Sequence, residues 1–374
     1  MRVAFMGRSI RPGATGVGRY ATNLVLALAR HLPARSLNVF LTRDAPRRWN
    51  GEVHELRAPF ATPNEYARAF WEQTFVPVQT RALGCDVYHS PNYIVPTAVT
   101  CPVVVTVHDL AYLRRNLHRL TSHVYLSALT AFALRRAQVV VVVSEHTRRE
   151  VEARYPHAAG RTEVVYEGVD PALAPPSPRG LAEFRRRIGL DDPYVLFVGT
   201  QEPRKNLVRL VRAYERTVDR TGLPHRLVLV GPRGWKIDDL DAAVERSPVR
   251  ERIARVGYAS DADLACWYAG ADLFVYPSLQ EGFGLPPLEA MAFGVPTVVS
   301  NRASLPEVVG DAGLAVDPCD VEGIAGAMAG VLADRDLAAR LAEAGRRRAA
   351  AFTWDEAARR HVAIYKRAAR GNAA

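Results

Sequence analysis

The chain has 374 residues, 48% of them hydrophobic and 24% charged, which is the balance of a globular protein and too long for one ordinary core. Four scattered cysteines (Cys85, Cys101, Cys266, Cys319) form no Cys-x-x-Cys pair, which argues against a zinc ribbon or disulfide framework and fits a reducing compartment. The net charge of +10 lies mostly in residues 1–177, which hold 21 Arg, no Lys and 13 acidic residues.

That basic half suits an anionic membrane surface, a phosphate-bearing acceptor or nucleic acid. A plain preference for Arg also accounts for it, since Lys205, Lys236 and Lys366 are the only lysines. The first residues, MRVAFMGRSI, read as a buried strand and not as a cleavable leader. The longest apolar runs, such as Val139–Val143, are far too short to span a bilayer, so a cytoplasmic protein is expected.

In chain order, Val3–Met6, Leu37–Leu41, Val87–His89, Val103–Val107, Val139–Val143 and Glu163–Tyr166 read as strands of one sheet. The periodicity of Arg19–Arg30, Trp71–Leu83 and Val124–Arg136 predicts helices between them. Apolar runs without alternation mark strands buried on both faces, hence a parallel sheet. Pro171–Gly180 (PALAPPSPRG) reads as an interdomain linker. The pattern then restarts with Tyr194–Val198, Arg226–Val230, Ile253–Val256, Asp272–Tyr276 and Pro296–Ser300. Two doubly wound α/β domains follow, 1–175 and 181–353, with the crevice beyond the carboxyl ends of their strands as the expected site.

Four segments carry candidate chemistry. In EGFGLPPLE (Glu281–Glu289), Pro286 and Pro287 mark a helix start, while Gly282 and Gly284 allow close approach of a ligand. A helix N-terminus beside glycines suits a diphosphate, and the two flanking carboxylates can accept hydrogen bonds from sugar hydroxyls. The plain alternative is a capped helix with solvated acids. In GTQEPRKNL (Gly199–Leu207), Arg204 and Lys205 stand at a strand–helix junction, where cations suit a diphosphate whose charge grows as a glycosidic bond breaks; alone, such a pair is an ordinary solvated one. GATGVGRYA (Gly13–Ala21) formally matches a dinucleotide fingerprint, but Gly16 falls ten positions after Met6, so the loop Gly7–Gly18 reads as a lid. TVHDL (Thr106–Leu110) places His108 at the carboxyl end of a buried strand, where it either serves a ligand or simply packs.

Together these segments resemble the family 4 glycosyltransferases of the GT-B fold, α/β proteins with two doubly wound Rossmann-like domains facing across a crevice. The match runs over nearly the whole chain and is densest in residues 194–316; PRKN and HSPNYIVP (His89–Pro96) are similar to the mannosyltransferase-like subgroup that builds bacterial surface polysaccharides. The resemblance implies a retaining transfer of a sugar to a glycan or lipid-linked acceptor, without metal, cofactor or nucleic acid. The co-substrate is a nucleoside-diphosphate sugar, GDP-mannose before a UDP sugar, and peripheral contact with an anionic membrane is compatible with the basic half.

Residue by residue, the resemblance gives Glu289 to the ribose, Glu281 to the sugar hydroxyls, and the N–H groups of Gly284 and Leu285, next to Gly282 and Phe283, to the diphosphate. Arg204 and Lys205, near Thr200, face the leaving group. Gly16 and Gly18 belong to the loop that closes over the donor, His108 to the transferred sugar, and Gly231, Arg233 and Tyr258 to the base. The last helix, within 354–374, returns to the first domain. Two departures stand out: Thr200 where many members have Arg, and Glu167 where they have Asn before Gly-Val-Asp. A nucleotide-sugar epimerase of similar fold is the alternative; a nicotinamide-dependent dehydrogenase lacks a properly placed fingerprint, and a non-catalytic binding protein would not need Glu281 and Glu289 together. Asp261-Ala-Asp263 has the form of a metal-binding pair, yet Ser260 before it reads as a helix N-cap.

Overall fold

Runs of β-branched residues with no polar alternation must be covered on both faces, and the chain builds two all-parallel sheets from them. A computed structural model describes every residue except 12, 14, 15, 47, 48, 50, 114–119 and 372–374, and of 120–125 the backbone alone. The chain divides into two compact units: Met1–Gly168 with Thr353–Ala374, and Val169–Phe352.

In the first unit, β1 (Val3–Met6), α1 (Val17–His31), β2 (Leu37–Leu41), β3 (His54–Arg57), α2 (Glu65–Ala82), β4 (Val87–Ser90), β5 (Val103–Val107), α3 (Leu120–Arg136), β6 (Val139–Val142), α4 (Glu145–Arg154) and β7 (Thr162–Val164) follow one another. The strand order is β3-β2-β1-β4-β5-β6-β7, so the winding reverses beside β1, where Val3 pairs with Leu37 on one side and Val87 on the other. Trp71 and Val76 of α2, Ala133 and Leu134 of α3, and Val151 of α4 join Tyr88, Val105 and Val142 in one core. Each fully buried valine of β5 and β6 stabilises the unit by roughly 1.5–3 kcal/mol relative to exposure, which is why these strands sit in the sheet interior.

The second unit runs through α5 (Pro178–Ile188), β8 (Tyr194–Val198), α6 (Leu207–Thr221), β9 (Arg226–Val230), α7 (Asp238–Glu245), β10 (Ile253–Val256) and α8 (Asp261–Ala269). It continues with β11 (Leu273–Tyr276), α9 (Leu285–Ala292), β12 (Thr297–Ser300), α10 (Leu305–Val309), β13 (Leu314–Val316), α11 (Val321–Ala333) and α12 (Arg335–Ala350). Its order, β10-β9-β8-β11-β12-β13, reverses between β8 and β11. The last helix, α13 (Trp354–Arg370), belongs to the first unit and packs on α1.

Several boundaries depart from the sequence expectation. The edge strands β3 and β13 carry no fully buried residue and are only four and three residues long. Helix α2 begins at Glu65, earlier than Trp71, because the Asn64 side chain caps it by accepting from the Ala67 N–H at 2.9 Å; exposed Tyr66 and Phe70 blur the period there. The linker stretch is partly helical: Ser177 accepts from the Gly180 N–H and Pro178 opens α5. The boundary between the units accordingly falls at Gly168–Val169, ahead of that stretch.

Gly168 touches the start of α13 so closely that an added Cβ would lie 2.3 Å from the Trp354 nitrogen and 2.6 Å from the Thr353 carbonyl carbon. Backbone on both sides leaves no flexible atom to give way. Gly168→Ala should therefore lower unfolding stability by about 1–3 kcal/mol, read as a drop in Tm; an unchanged Tm would show that α13 is not seated against this glycine.

Candidate active site

Parallel strands share one carboxyl edge, so the ends of β8 and β11 flank the switch point of the second sheet, where sheets of this kind bind ligands. After β8 the chain makes a short 3₁₀ turn, Pro203–Lys205, closed by Asn206 with φ 62°. Arg204 and Lys205 thus stand on a turn of their own, and not at the start of α6 as the sequence suggested. The Asn206 amide donates to the carbonyls of Pro277 (3.0 Å) and Pro318 (2.7 Å), and the Leu279 N–H donates to the Arg204 carbonyl (2.8 Å). These bonds fasten the turn to the loop after β11 and to the segment after β13.

Across that junction Lys205 Nζ donates to Glu281 Oε1 at 2.6 Å and to the Tyr276 hydroxyl, while Arg204 donates to Glu281 Oε2 at 2.8 Å. The Ser278 hydroxyl adds a bond of 2.6 Å to Glu281 Oε1, and Glu202 pairs with Arg204 at 2.5 Å. Burial pushes the Glu281 carboxyl up, but the charges of Arg204 and Lys205, with the hydrogen bonds from Lys205 and Ser278, outweigh it and hold it at about 2. Lys205 lies over the Tyr276 ring, 4.8 Å from its centroid, and that ring stacks on Phe197.

Gly284 caps α9 with φ 119°, and an added Cβ there would also lie 2.8 Å from Leu305 Cδ2, so glycine is required. Pro286 and Pro287 have no N–H, which leaves Gly284 and Leu285 as the donors at this helix start. Ser304 holds the loop by donating to the carbonyls of Glu281 (3.1 Å) and Phe283 (2.6 Å), around buried Gly282. Glu289, four residues into α9, is buried and accepts from the Tyr268 hydroxyl at 2.8 Å.

The remaining predicted residues of this unit are less tightly gathered. Gly231 approaches the β8 loop so closely that a Cβ would lie 2.1 Å from the Gly199 carbonyl oxygen. Gln201, next to half-buried Thr200, bridges to Arg233 through the backbone. The Arg233 side chain, however, is exposed and tied to Asp241 at 2.8 Å, and Tyr258 stands 58% exposed after β10. Asp263 accepts from Arg187, and its N–H is capped by Ser260, so the Asp-x-Asp pair serves a helix start.

In the first unit His108 follows β5 directly. Its Nδ1 lies 3.2 Å from Glu167 Oε1 and its Nε2 3.0 Å from the Pro91 carbonyl oxygen. The Tyr20 ring meets it edge-on, with centroids 4.5 Å apart. Tyr20 heads a buried chain of contacts: to Thr106 (3.1 Å) and His361 (3.2 Å), from Thr106 to His89 (2.8 Å), from His89 to Tyr365 (2.6 Å), and from His361 Nδ1 to the Ala357 carbonyl (2.7 Å). Burial pushes His361 down to about 4 and His89 well below its usual value, so both rings are neutral. One proton order alone then fills every link: Tyr365 donates to His89, His89 to Thr106, Thr106 to Tyr20, Tyr20 to His361, and His361 to Ala357.

The expected lid is only partly within the described residues, since 12, 14 and 15 are not. Gly16 is the N-cap of α1 with φ 53°, whereas Gly18 is a buried helical residue whose carbonyl accepts from Thr22 at 2.9 Å. It lies outside a loop because α1 starts at Val17. Sequence reading missed Tyr276, Ser278, Asn206 and Tyr20. Ser278 stands three residues before Glu281 in one loop, Asn206 closes the PRKN motif and Tyr20 lies in GATGVGRYA, so these had a local signal; Tyr276, at the end of a buried strand, did not. Among the described residues no group of three His, Cys, Asp or Glu is arranged to hold a metal ion, and no helix is long and apolar enough to cross a membrane.

Two Rossmann-like parallel-sheet domains, the second with paired cations at its switch point, define a glycosyltransferase of the GT-B fold. The description "Glycosyl transferases group 1" matches residues 181–348, and "Glycosyltransferase Family 4" matches 14–173. The chain is 31% identical to O-antigen chain mannosyltransferase B of Escherichia coli, covering 98% of this chain and 100% of that one. It is 30% identical to the serotype-specific mannosyltransferase WbdA of Escherichia coli over 74% of this chain, spanning about a third (35%) of WbdA. Sucrose-phosphate synthase from Thermosynechococcus elongatus has the same fold, with a TM-score of 0.79 at 23% identity and 98% of both chains covered. The chain belongs to glycosyltransferase family 4. These relatives are transferases, and the epimerase alternative is set aside.

Because the Glu281 carboxyl is lowered from its usual 4.5 to about 2, its pairing stabilises the fold fully above pH 4.5 and is lost as pH falls toward 2. Comparing wild type with Glu281→Gln by denaturant unfolding, the stability difference should shrink through that window. A difference that grows in acid would contradict the ionised pairing.

Proposed function

We propose that the protein is a retaining mannosyltransferase that takes its sugar from GDP-mannose and passes it to a glycan or lipid-linked acceptor without a metal ion. The observation that carries the reading is the Arg204–Lys205–Glu281 cluster at the switch point of the second sheet. Breaking the glycosidic bond leaves negative charge on the diphosphate, and pre-positioned cations with the N–H groups of Gly284 and Leu285 stabilise that charge in place of magnesium. Glu281, kept ionised, retains about one acceptor site, on Oε2, for a sugar hydroxyl, and Glu289 serves the ribose. His108 serves the transferred sugar and not the nucleotide. The choice of mannose is supported by the names of the two Escherichia coli relatives.

Incubated with GDP-mannose and a glycan acceptor in excess EDTA, the protein should release GDP and mannosylate the acceptor. Arg204→Ala and Glu281→Ala should each lose about 10²–10³ in rate. Turnover with UDP-glucose but not GDP-mannose would overturn the donor, restoration by magnesium the metal-free reading, and near-wild-type rates in both variants the site.

Peripheral contact with an anionic membrane through the first unit is also part of the proposal. That unit carries a net charge of +12 and the second −2. On α2 an exposed stripe of Tyr66 (88%), Phe70 (58%) and Val78 (68%) adds apolar surface of the kind that inserts among lipid headgroups. Co-sedimentation with phosphatidylserine vesicles should occur at low salt, weaken in high salt and drop in Phe70→Ser. Binding indifferent to salt would discount the charge.

A further inference from the structure

In the first sheet the winding reverses beside β1, so the carboxyl ends of β1 and β4 flank its switch point, where sheets of this kind take a ligand. The loops after β4 and β5 are joined at that edge, since the His108 ring lies 3.0 Å from the Pro91 carbonyl oxygen. Next to this contact stand Asn92 and Tyr93 on one loop and Asp109 on the other.

Each of the three is fixed by one part of its side chain and leaves another part open. Asn92 Oδ1 accepts from the Ile94 N–H at 3.0 Å, with the Ser90 hydroxyl 3.1 Å away, and this orients the amide with its NH₂ group unbonded. Asp109 Oδ1 accepts from the Ala111 N–H at 3.0 Å, while Oδ2 has no partner among the described residues. The Tyr93 ring packs on Tyr112, with centroids 5.3 Å apart, and its hydroxyl makes no hydrogen bond among the described residues. All three residues are half-buried, and none of these open atoms is sealed from water. Burial and the Asp109 charge push the Tyr93 phenol up to about 12, so it keeps its proton and can donate or accept. Arg8, after β1, acts on the same phenol in the opposite sense, but its Nη1 is committed to Glu72 at 2.9 Å and its Nη2 to Glu65.

We infer that Asn92, Tyr93 and Asp109 form the acceptor subsite, and that it takes the uncharged end of a glycan through neighbouring hydroxyls. The open groups are a carboxylate oxygen that only accepts, an NH₂ group that only donates and a phenol that does either. Two adjacent sugar hydroxyls, each donor and acceptor, match that set. A phosphate would set its charge against the Asp109 carboxylate. The inference rests on the reading above, which gives the nucleotide sugar to the second unit.

Ligand-observed NMR titration of the full chain with a panel of methyl hexopyranosides and their 6-phosphates reads the subsite without turnover. At least one methyl hexopyranoside should bind, more tightly than its 6-phosphate, and should accept mannose from GDP-mannose. Asp109→Asn keeps an oxygen for the Ala111 N–H and removes the charge; it should raise the Kd and acceptor KM about tenfold or more. Tyr93→Phe keeps the ring on Tyr112 and should raise both about threefold to tenfold. In each variant kcat and GDP affinity should stay near wild type. A residue that only held its loop would lower Tm and kcat together with acceptor affinity. Tighter binding of the 6-phosphates, no binding of any methyl hexopyranoside, or wild-type Kd in both variants overturns the inference. Hexopyranoside binding that weakens in Asp109→Asn, without any transfer from GDP-mannose, supports the subsite and fails the donor reading alone.

Discussion

A carboxylate buried against an ammonium and a guanidinium survives only if the segments carrying all three are held in register, and Glu281 imposes that condition on the second unit. Removing one partner of such a buried pair typically costs about 3–5 kcal/mol, because the charge left behind has no water to turn to. The surroundings read as consequences. Asn206 takes a left-handed conformation and ties its turn to the end of β11, Ser278 adds a third donor, and Ser304 pins the carbonyls that follow. The glycines of this loop supply close backbone approach without weakening it. Arg204 and Lys205 are matched by Glu202 and Glu281, so each cation of the turn stands against a carboxylate already in place.

The first unit handles its polar core differently. Its buried histidines are neutral and joined to Tyr20, Thr106 and Tyr365 in a chain with a single proton order, each link contributing about 0.5–1.5 kcal/mol. Two of the members, His361 and Tyr365, come from α13, so the last helix is part of this core rather than an appendage. At the edge of the chain of bonds stands His108, held between the Glu167 carboxylate and the Pro91 carbonyl.

The surface charge follows the same division. The basic excess evident in the first half of the sequence is larger once α13 is counted with the unit it packs on, because that helix is itself basic. The second unit, which holds the paired cations, is slightly acidic overall. Charge at the site is therefore local and charge on the surface is global, and neither can be read from the other.

Much of this was legible in the residues themselves. Valine runs such as β6 place strands because burial on both faces is a local property of composition, and the start of α9 at Gly284 follows from two prolines and a glycine. Edge strands β3 and β13 were not legible, since a half-exposed strand is stabilised by its neighbour and not by its own pattern. The family of motifs, the candidacy of Arg204, Lys205, Glu281 and His108, and the α/β class were likewise determined by sequence. Tertiary structure alone decided which of those residues pair. Lys205 and Glu281 are 76 positions apart, His108 and Glu167 59, and Tyr20 and His361 341, and a hydrogen bond depends on distance in space, which no spacing along the chain encodes. Glu167 is the clearest case: an unexplained departure in the sequence becomes, once the sheet brings the ends of β5 and β7 to one edge, a partner of the His108 ring at 3.2 Å.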